Sequence, residues 1–294
     1  MHNVCLGVMR KLLNVWISGD LNVRLQSHSI KIISEKLIYC SKFILVEFNR
    51  KPRSLSTLAR WKATEYRMFL LYVGPIVLKD ILPRSLYENF LLFHSAITIL
   101  CSNKHIRELG IDLAQELLLI FINHSKSVYG LHFLVYNVHM LCHICDDVRL
   151  FGPLDEYSAF PFENHLKSVK KLVRSPNKPL QQIVRRLKEM ESSKLYSSSS
   201  KITVSDQFYS GPLPEENVYE CYKKLTYKKY TLYVAESREA DCYCLTKDRK
   251  VFKIHNILKN HTLFIYGKEF DNYQPFFEYP FNSVAIDVMV VKNY

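Results

Sequence analysis

Residues 192–217 read SSKLYSSSSKITVSDQFYSGPLPEEN. The stretch is rich in serine and poor in large apolar residues, and the pattern differs on its two sides. Before it, apolar residues recur every three to four positions, the period of a helix with one buried face. After it come KYTLYVA (229–235), DCYCLT (241–246), KVFKIHNIL (250–258), HTLFIYGKEF (261–270) and SVAIDVMVV (283–291). These runs are β-branched and aromatic, with polar turns between them, as strands are. The expected fold is α+β. A mainly helical region spans 1–191, a serine-rich linker 192–217, and a small β-barrel-like domain 218–294.

Within the first region, helical faces are expected over 29–49, 62–81, 84–102, 106–128 and 129–148, with breaks at Lys51-Pro52, Gly74-Pro75 (an end or a kink), Leu82-Pro83 and Gly152-Pro153. Pro161 suits a first helical position and opens a segment from 161 to 174; Pro179 opens another that runs to Glu191. At the very start, Val4, Val8, Leu12 and Val15 share a face, with Met9, Leu13 and Trp16 beside it. A chain that opens inside an amphipathic element is expected to be the tail of a longer protein.

The 294 residues are 48% hydrophobic and 13% aromatic, which describes a folded, core-burying chain. Forty Lys and Arg against 28 Asp and Glu give a net charge of +12, which favours a polyanionic partner. Eight scattered cysteines without a secretory signal are expected to be reduced thiols, in cytosol or nucleus. The longest uncharged run, Ser127 to Cys145, carries His132, Asn137, His139 and His143. These are costly in hydrocarbon, so a buried helix is expected there and not a membrane span.

That same run offers a constellation. On a helix from Tyr129 to Val148, His132, His139, Cys142, His143 and Asp146 fall on one side. His139 and His143 stand i, i+4, a spacing that holds a metal between two imidazoles, and Cys142 could add a thiolate to make a zinc set. The plainer and favoured reading of an isolated His-x3-His is hydrogen-bonded side chains packing one helix on its neighbours.

A second constellation follows FGPLDEYSAFPFENHLKSVKK, residues 151–171. Glu163 sits in a first helical turn, where the helix dipole stabilises any carboxylate. Between 164 and 194, nine Lys and Arg face two Glu. Lys167, Lys170, Lys171 and Arg174 form one stripe at i, i+3, i+4, i+7 spacing, with Leu166, Val169 and Val173 able to face the core; Lys178, Arg185 and Arg186 extend it. Such a surface suits a phosphate backbone, which requires positive charge without base-reading geometry. A solvated charged face is the plainer alternative. No Gly-rich phosphate loop or nucleophile elbow is present in the sequence.

Several motifs together resemble a known family. They are MHNVCLGVMRKLL at the start, Asn137-Val138-His139 with His143, Gly152-Pro153-Leu154, Ser158 through Glu163, and Asp241-Cys242-Tyr243, Tyr279-Pro280 and Ser283 near the end. Most of the chain is similar to the second half of eukaryotic transposase domain-containing proteins near the CACTA (En/Spm-like) DNA transposons. The resemblance implies the last part of an RNase H-like core with a helical insertion. In such cores an Asp-Asp-Glu triad binds two Mg²⁺ ions and drives DNA cleavage and strand transfer. Glu163 would be the last acid, and His139 and His143 a pair that binds zinc or braces the insertion. One of the two Asp positions falls just ahead of Met1-His2, outside this chain, and the strands carrying the first Asp are also missing. These residues alone are therefore expected to be catalytically incomplete.

The expected partner is DNA, held without sequence preference, in the nucleus, with self-association compatible. A competing class is a protein-interaction module whose Tyr227, Tyr230, Tyr233, Tyr266 and Phe270 line a peptide groove or, alternatively, fill the β domain's core.

Overall fold

The computed structural model describes residues 1–194, 202–213, 220–228, 230–248 and 250–291, with the side chains of 164, 167 and 192–194 excepted. The chain opens in a wide π-helical segment, Asn3–Met9, that runs into α1 (Arg10–Ser18). Of its apolar stripe, Val4, Val8 and Leu12 have almost no exposure and Val15 is half-buried; Trp16 beside it is buried too. Trp16 Nε1 donates to the Tyr129 hydroxyl at 3.1 Å, which satisfies the indole inside the core.

Next come α2 (Ser27–Cys40), α3 (Ala63–Met68), α4 (Gly74–Leu78), α5 (Arg84–Leu100), α6 (Asn103–Leu109) and α7 (Ile111–Tyr129). Helices α5 and α7 form the centre, where Phe93 stacks on Phe121 at 5.0 Å between centroids. Burying these rings supplies much of the driving force for folding, about 25 cal/mol per Å² of apolar surface removed from water.

Beyond α7 the single helix expected over 129–148 is broken. Gly130 takes φ +84°, a conformation that costs glycine little, and ends α7. A 3₁₀ turn at Leu131–Phe133 follows, then α8 (Tyr136–His139), another 3₁₀ turn at Met140–His143, and α9 (Ile144–Phe151). His132 is thereby separated from the other histidines and stands 3.5 Å from Asp20.

Helices α10 (Phe160–Lys171) and α11 (Pro179–Lys194) complete the helical region. Gln182 secures the turn between them: its Oε1 accepts from Arg174 N, and its Nε2 donates to Ser175 O and Asn177 O. The expectation that Leu166 faces the core fails, since it is 64% exposed; Phe162 is 68% exposed. Val169 and Val173, expected on the same side, are half-buried, so the start of the helix is the part left uncovered among the described residues.

The C-terminal part is an antiparallel sheet, as its alternating runs require. Inside the serine-rich stretch, β1 (Thr203–Phe208) pairs with β2 (Glu220–Tyr227). The rest of the sheet is β3 (Tyr230–Tyr233), β4 (Tyr243–Leu245), β5 (Val251–Lys259) and β6 (Leu263–Phe270). Among the described residues it does not close into a barrel. It forks instead: β2 meets β5 only over 220–222 and 257–259, after which β3 follows β2 and β4 follows β5. Strand β6 lies on the other edge of β5.

A final two-stranded piece, β7 (Tyr273–Pro275) with β8 (Met289–Val291), brackets a tail that packs on the helices. Phe277 and Ile286 are buried in the helical core. Ser283 holds this tail's shape, its hydroxyl accepting from Phe276 N and Phe277 N and donating to Val288 O. Lys104 and His105 of α6 both reach the Asp287 carboxylate, at 2.6 and 3.1 Å. Partial burial opposes its ionisation, yet these two partners hold that carboxyl below its usual value. His105 thus has a structural partner in the tail.

Candidate functional site

Three of the quoted motifs meet at one place. Gly7, in the opening π-helical turn, lies so close to α8 that an added Cβ would stand 3.0 Å from Asn137. Asn3 Nδ2 donates to Asn137 O at 2.9 Å across the same contact. His2 then reaches α10: its Nε2 lies 2.9 Å from Glu163 Oε1, and its ring tilts on Phe160 at 4.9 Å. The opening residues therefore bridge the Asn137-x-His139 segment and the first turn of the helix that carries Glu163.

Beside this junction is a hollow of about 490 Å³, lined by Met1, His2, Asn137, Asp147 and Tyr157 among others. Burial pushes the Tyr157 phenol up to about 12, so it stays protonated at neutral pH. Its hydroxyl is buried and has no hydrogen-bond partner among the described residues. Glu163 itself is 59% exposed and occupies the first turn of α10, at the positive end of the helix dipole.

The histidine pair survives in part. His139 and His143 lie edge to face with centroids 5.3 Å apart, both exposed, with Cys142 half-buried between them. Cys145 points the other way, into the core, where burial lifts its thiol to about 11. Among the described residues no three His, Cys, Asp or Glu side chains come together as a metal-holding group. All eight cysteines are free thiols.

On α10, α11 and the turn between them, Lys170, Lys171, Arg174, Lys178 and Arg185 are exposed and Arg186 is half-buried. Lys167 lies on α10, but its side chain is outside the described residues. Arg185 pairs with Glu189 at 3.1 Å, an exposed pair that leaves both groups hydrated. These cations occupy two helices that protrude from the core, neither contributing a fully buried residue among those described. No described helix is long and apolar enough to cross a membrane.

Sequence reasoning did not find His2, Asn3 or Tyr157. Only the resemblance touched the first two, and no spacing rule links them to Glu163.

No curated protein and no solved structure matches the chain. Residues 100–207, which hold Glu163, the histidine pair and the basic helices, match a family model described as a domain of unknown function (DUF4218), and residues 207–294, which hold most of the forked sheet and the tail, match a second such model (DUF8592).

Proposed function

We propose that this chain is a DNA-binding part of a transposase-derived protein, with Glu163 as the last acid of an Asp-Asp-Glu site on an RNase H-like core. The observation that carries it is the 2.9 Å approach of His2 to Glu163. In the resembled family an Asp sits just ahead of the Met-His pair, so the same approach would bring that carboxylate beside Glu163. The exposed Phe162 and Leu166 are also accounted for, since in such a core the helix bearing the final acid rests on a sheet.

Glu163 and His2 alone do not fit a two-Mg²⁺ site, which requires several carboxylates around cations roughly 4 Å apart. No catalytic step is assigned to these residues by themselves. Their contribution is to hold DNA through the cations of α10 and α11 and to position one acidic ligand. The exposed His139 and His143 supply at most two imidazole donors for zinc, with Cys142 as the third group that the spacing allows.

The test is binding of a labelled DNA duplex across a salt series. About six phosphate contacts predict a log–log slope near −5, a loss of about 10³-fold between about 50 and 200 mM salt. Binding that ignores salt would overturn the proposal. Strong Mg²⁺-dependent strand cleavage that vanishes in Glu163→Ala would overturn the catalytic incompleteness.

A further inference from the structure

We infer that His139 and His143 form a zinc clasp across the turn between α8 and α9, two imidazoles holding one ion whose other positions go to water. A clasp of this kind is independent of DNA binding. His139 is the last residue of α8, and His143 is the last of the 3₁₀ turn Met140–His143 that leads into α9. The pair therefore brackets that one turn. A 3₁₀ turn has poorer hydrogen-bond geometry than an α-helix, so a link across it adds order where the backbone supplies least.

Two independent features point to a metal ion. First, the rings have no other polar partner. His2, His94, His105 and His132 each have an oxygen within 3.5 Å. Among the described residues, His139 and His143 have only each other. Both are exposed, so hydrogen-bonded packing of one helix on another does not describe them. Their ring nitrogens are left to solvent or to a ligand.

Second, the separation of the rings fits. An imidazole nitrogen sits about 2.0–2.1 Å from zinc with the ring centre about 1.2 Å behind it, so two rings on one tetrahedral ion have centres about 5.2 Å apart. The observed separation is 5.3 Å. Square-planar Cu²⁺ would draw the centres to about 4.5 Å, and Mg²⁺ or Ca²⁺ takes oxygen ligands instead of imidazole. Cys142 is half-buried within the turn and Asp146 is held by Arg149 at 2.8 Å, and neither joins the two rings as a third ligand. Asn137, also on α8, seats the opening residues through Asn3, so the clasp would steady that contact too.

Zinc chloride titrated into the full chain by isothermal calorimetry should give one ion per chain, and hydrogen exchange at the amides of 140–144 should slow in its presence. His139→Gln and His143→Gln, both at exposed side chains and so compatible with folding, should each weaken that ion at least about tenfold and abolish the slowing. Cys142→Ser should change neither. The clasp is refuted if no zinc binds, if the double histidine variant binds it as tightly as the parent chain, or if exchange at 140–144 ignores it. It is refuted too if Cys142→Ser loses the ion, which would mean a thiolate site, or if one zinc serves two chains.

Discussion

His2 Nε2 stands 2.9 Å from Glu163 Oε1, joining the first residues of the chain to the first turn of α10. Both side chains are substantially exposed, at 41% and 59%. An exposed pair of this kind contributes less than about 1 kcal/mol, because water screens it and two side chains lose freedom to make it. Glu163→Ala and His2→Ala should therefore change the unfolding free energy in urea by less than about 1 kcal/mol each. A larger loss would make Glu163 a structural residue and remove the reason to assign it a functional role.

The basic surface gives a separate expectation. Lys170, Lys171 and Arg174 are exposed, so replacing all three by alanine should leave the circular dichroism spectrum and urea midpoint nearly unchanged. If each neutralises one phosphate, the salt slope should become shallower by about 2.7, at 0.9 per contact. Titrations in varied KCl read this directly. An unchanged slope would place the DNA contact elsewhere.

Which parts were legible in the sequence follows from how local each determinant is. The stripe Val4, Val8, Leu12 and Val15 announces a helix because its period is complete within the segment, although Val15 is only half-buried and Trp16 beside it takes the fully buried place. The boundaries of α5, expected over 84–102 and found at Arg84–Leu100, follow from Pro83 at one end and the loss of the apolar stripe at the other. Strand β1 was hidden because, of its six residues, only Phe208 is buried; an edge strand of Ser, Asp and Gln carries no alternating signal. Whether the strands curl shut depends on register between distant segments, which composition does not encode. Glu163 could be singled out as a carboxylate ahead of lysines, but its meeting with His2 could not. Leu166 shows the converse: the pattern marks an apolar side without saying whether anything covers it.

Asp241 carries a larger energetic role than its short motif implies. Its side chain is 1% exposed, Oδ1 accepts from Val46 N at 2.8 Å, and Oδ2 lies 2.8 Å from Arg238 Nε. That second approach is an ion pair out of line for a hydrogen bond, so Oδ2 has no hydrogen donor. The carboxylate fastens the loop after α2 to the start of β4. Asp241→Ala would leave the half-exposed Val46 N–H without its acceptor and Arg238, 38% exposed, without its partner, a loss of about 1–2 kcal/mol after solvent screening. Asp241→Asn keeps an acceptor for Val46 and should lose less. Urea denaturation of the two variants would show the difference; equal losses would mean that the charge matters and the hydrogen bond does not.

Acid sensitivity should come from His94. The ring is fully buried, its Nδ1 lies 2.7 Å from Leu70 O, and its Nε2 has no partner. The Nδ1–H therefore donates to that carbonyl, and Nε2 carries the lone pair. Burial lowers the imidazole's pKa from 6.5 to about 4, only partly opposed by the Leu70 bond. Between those values the unfolded chain binds a proton that the folded chain refuses, so stability is full above about pH 6.5 and declines as pH falls toward 4. At 1.36 kcal/mol per pH unit the decline amounts to about 3 kcal/mol. The charge would appear next to Phe277, whose ring sits edge-on to His94 at 5.9 Å, so the tail's seat on α5 should loosen first. Urea unfolding at pH 7 and pH 4.5 measures the total, and His94→Gln, which cannot ionise, should flatten the dependence over that window. Hydrogen exchange at the amides of 276–288 should rise with acid in the parent chain and not in the variant. An equally steep pH dependence in both would assign the acid loss to carboxylates such as Asp287, whose lowered pKa confers stability that disappears at still lower pH.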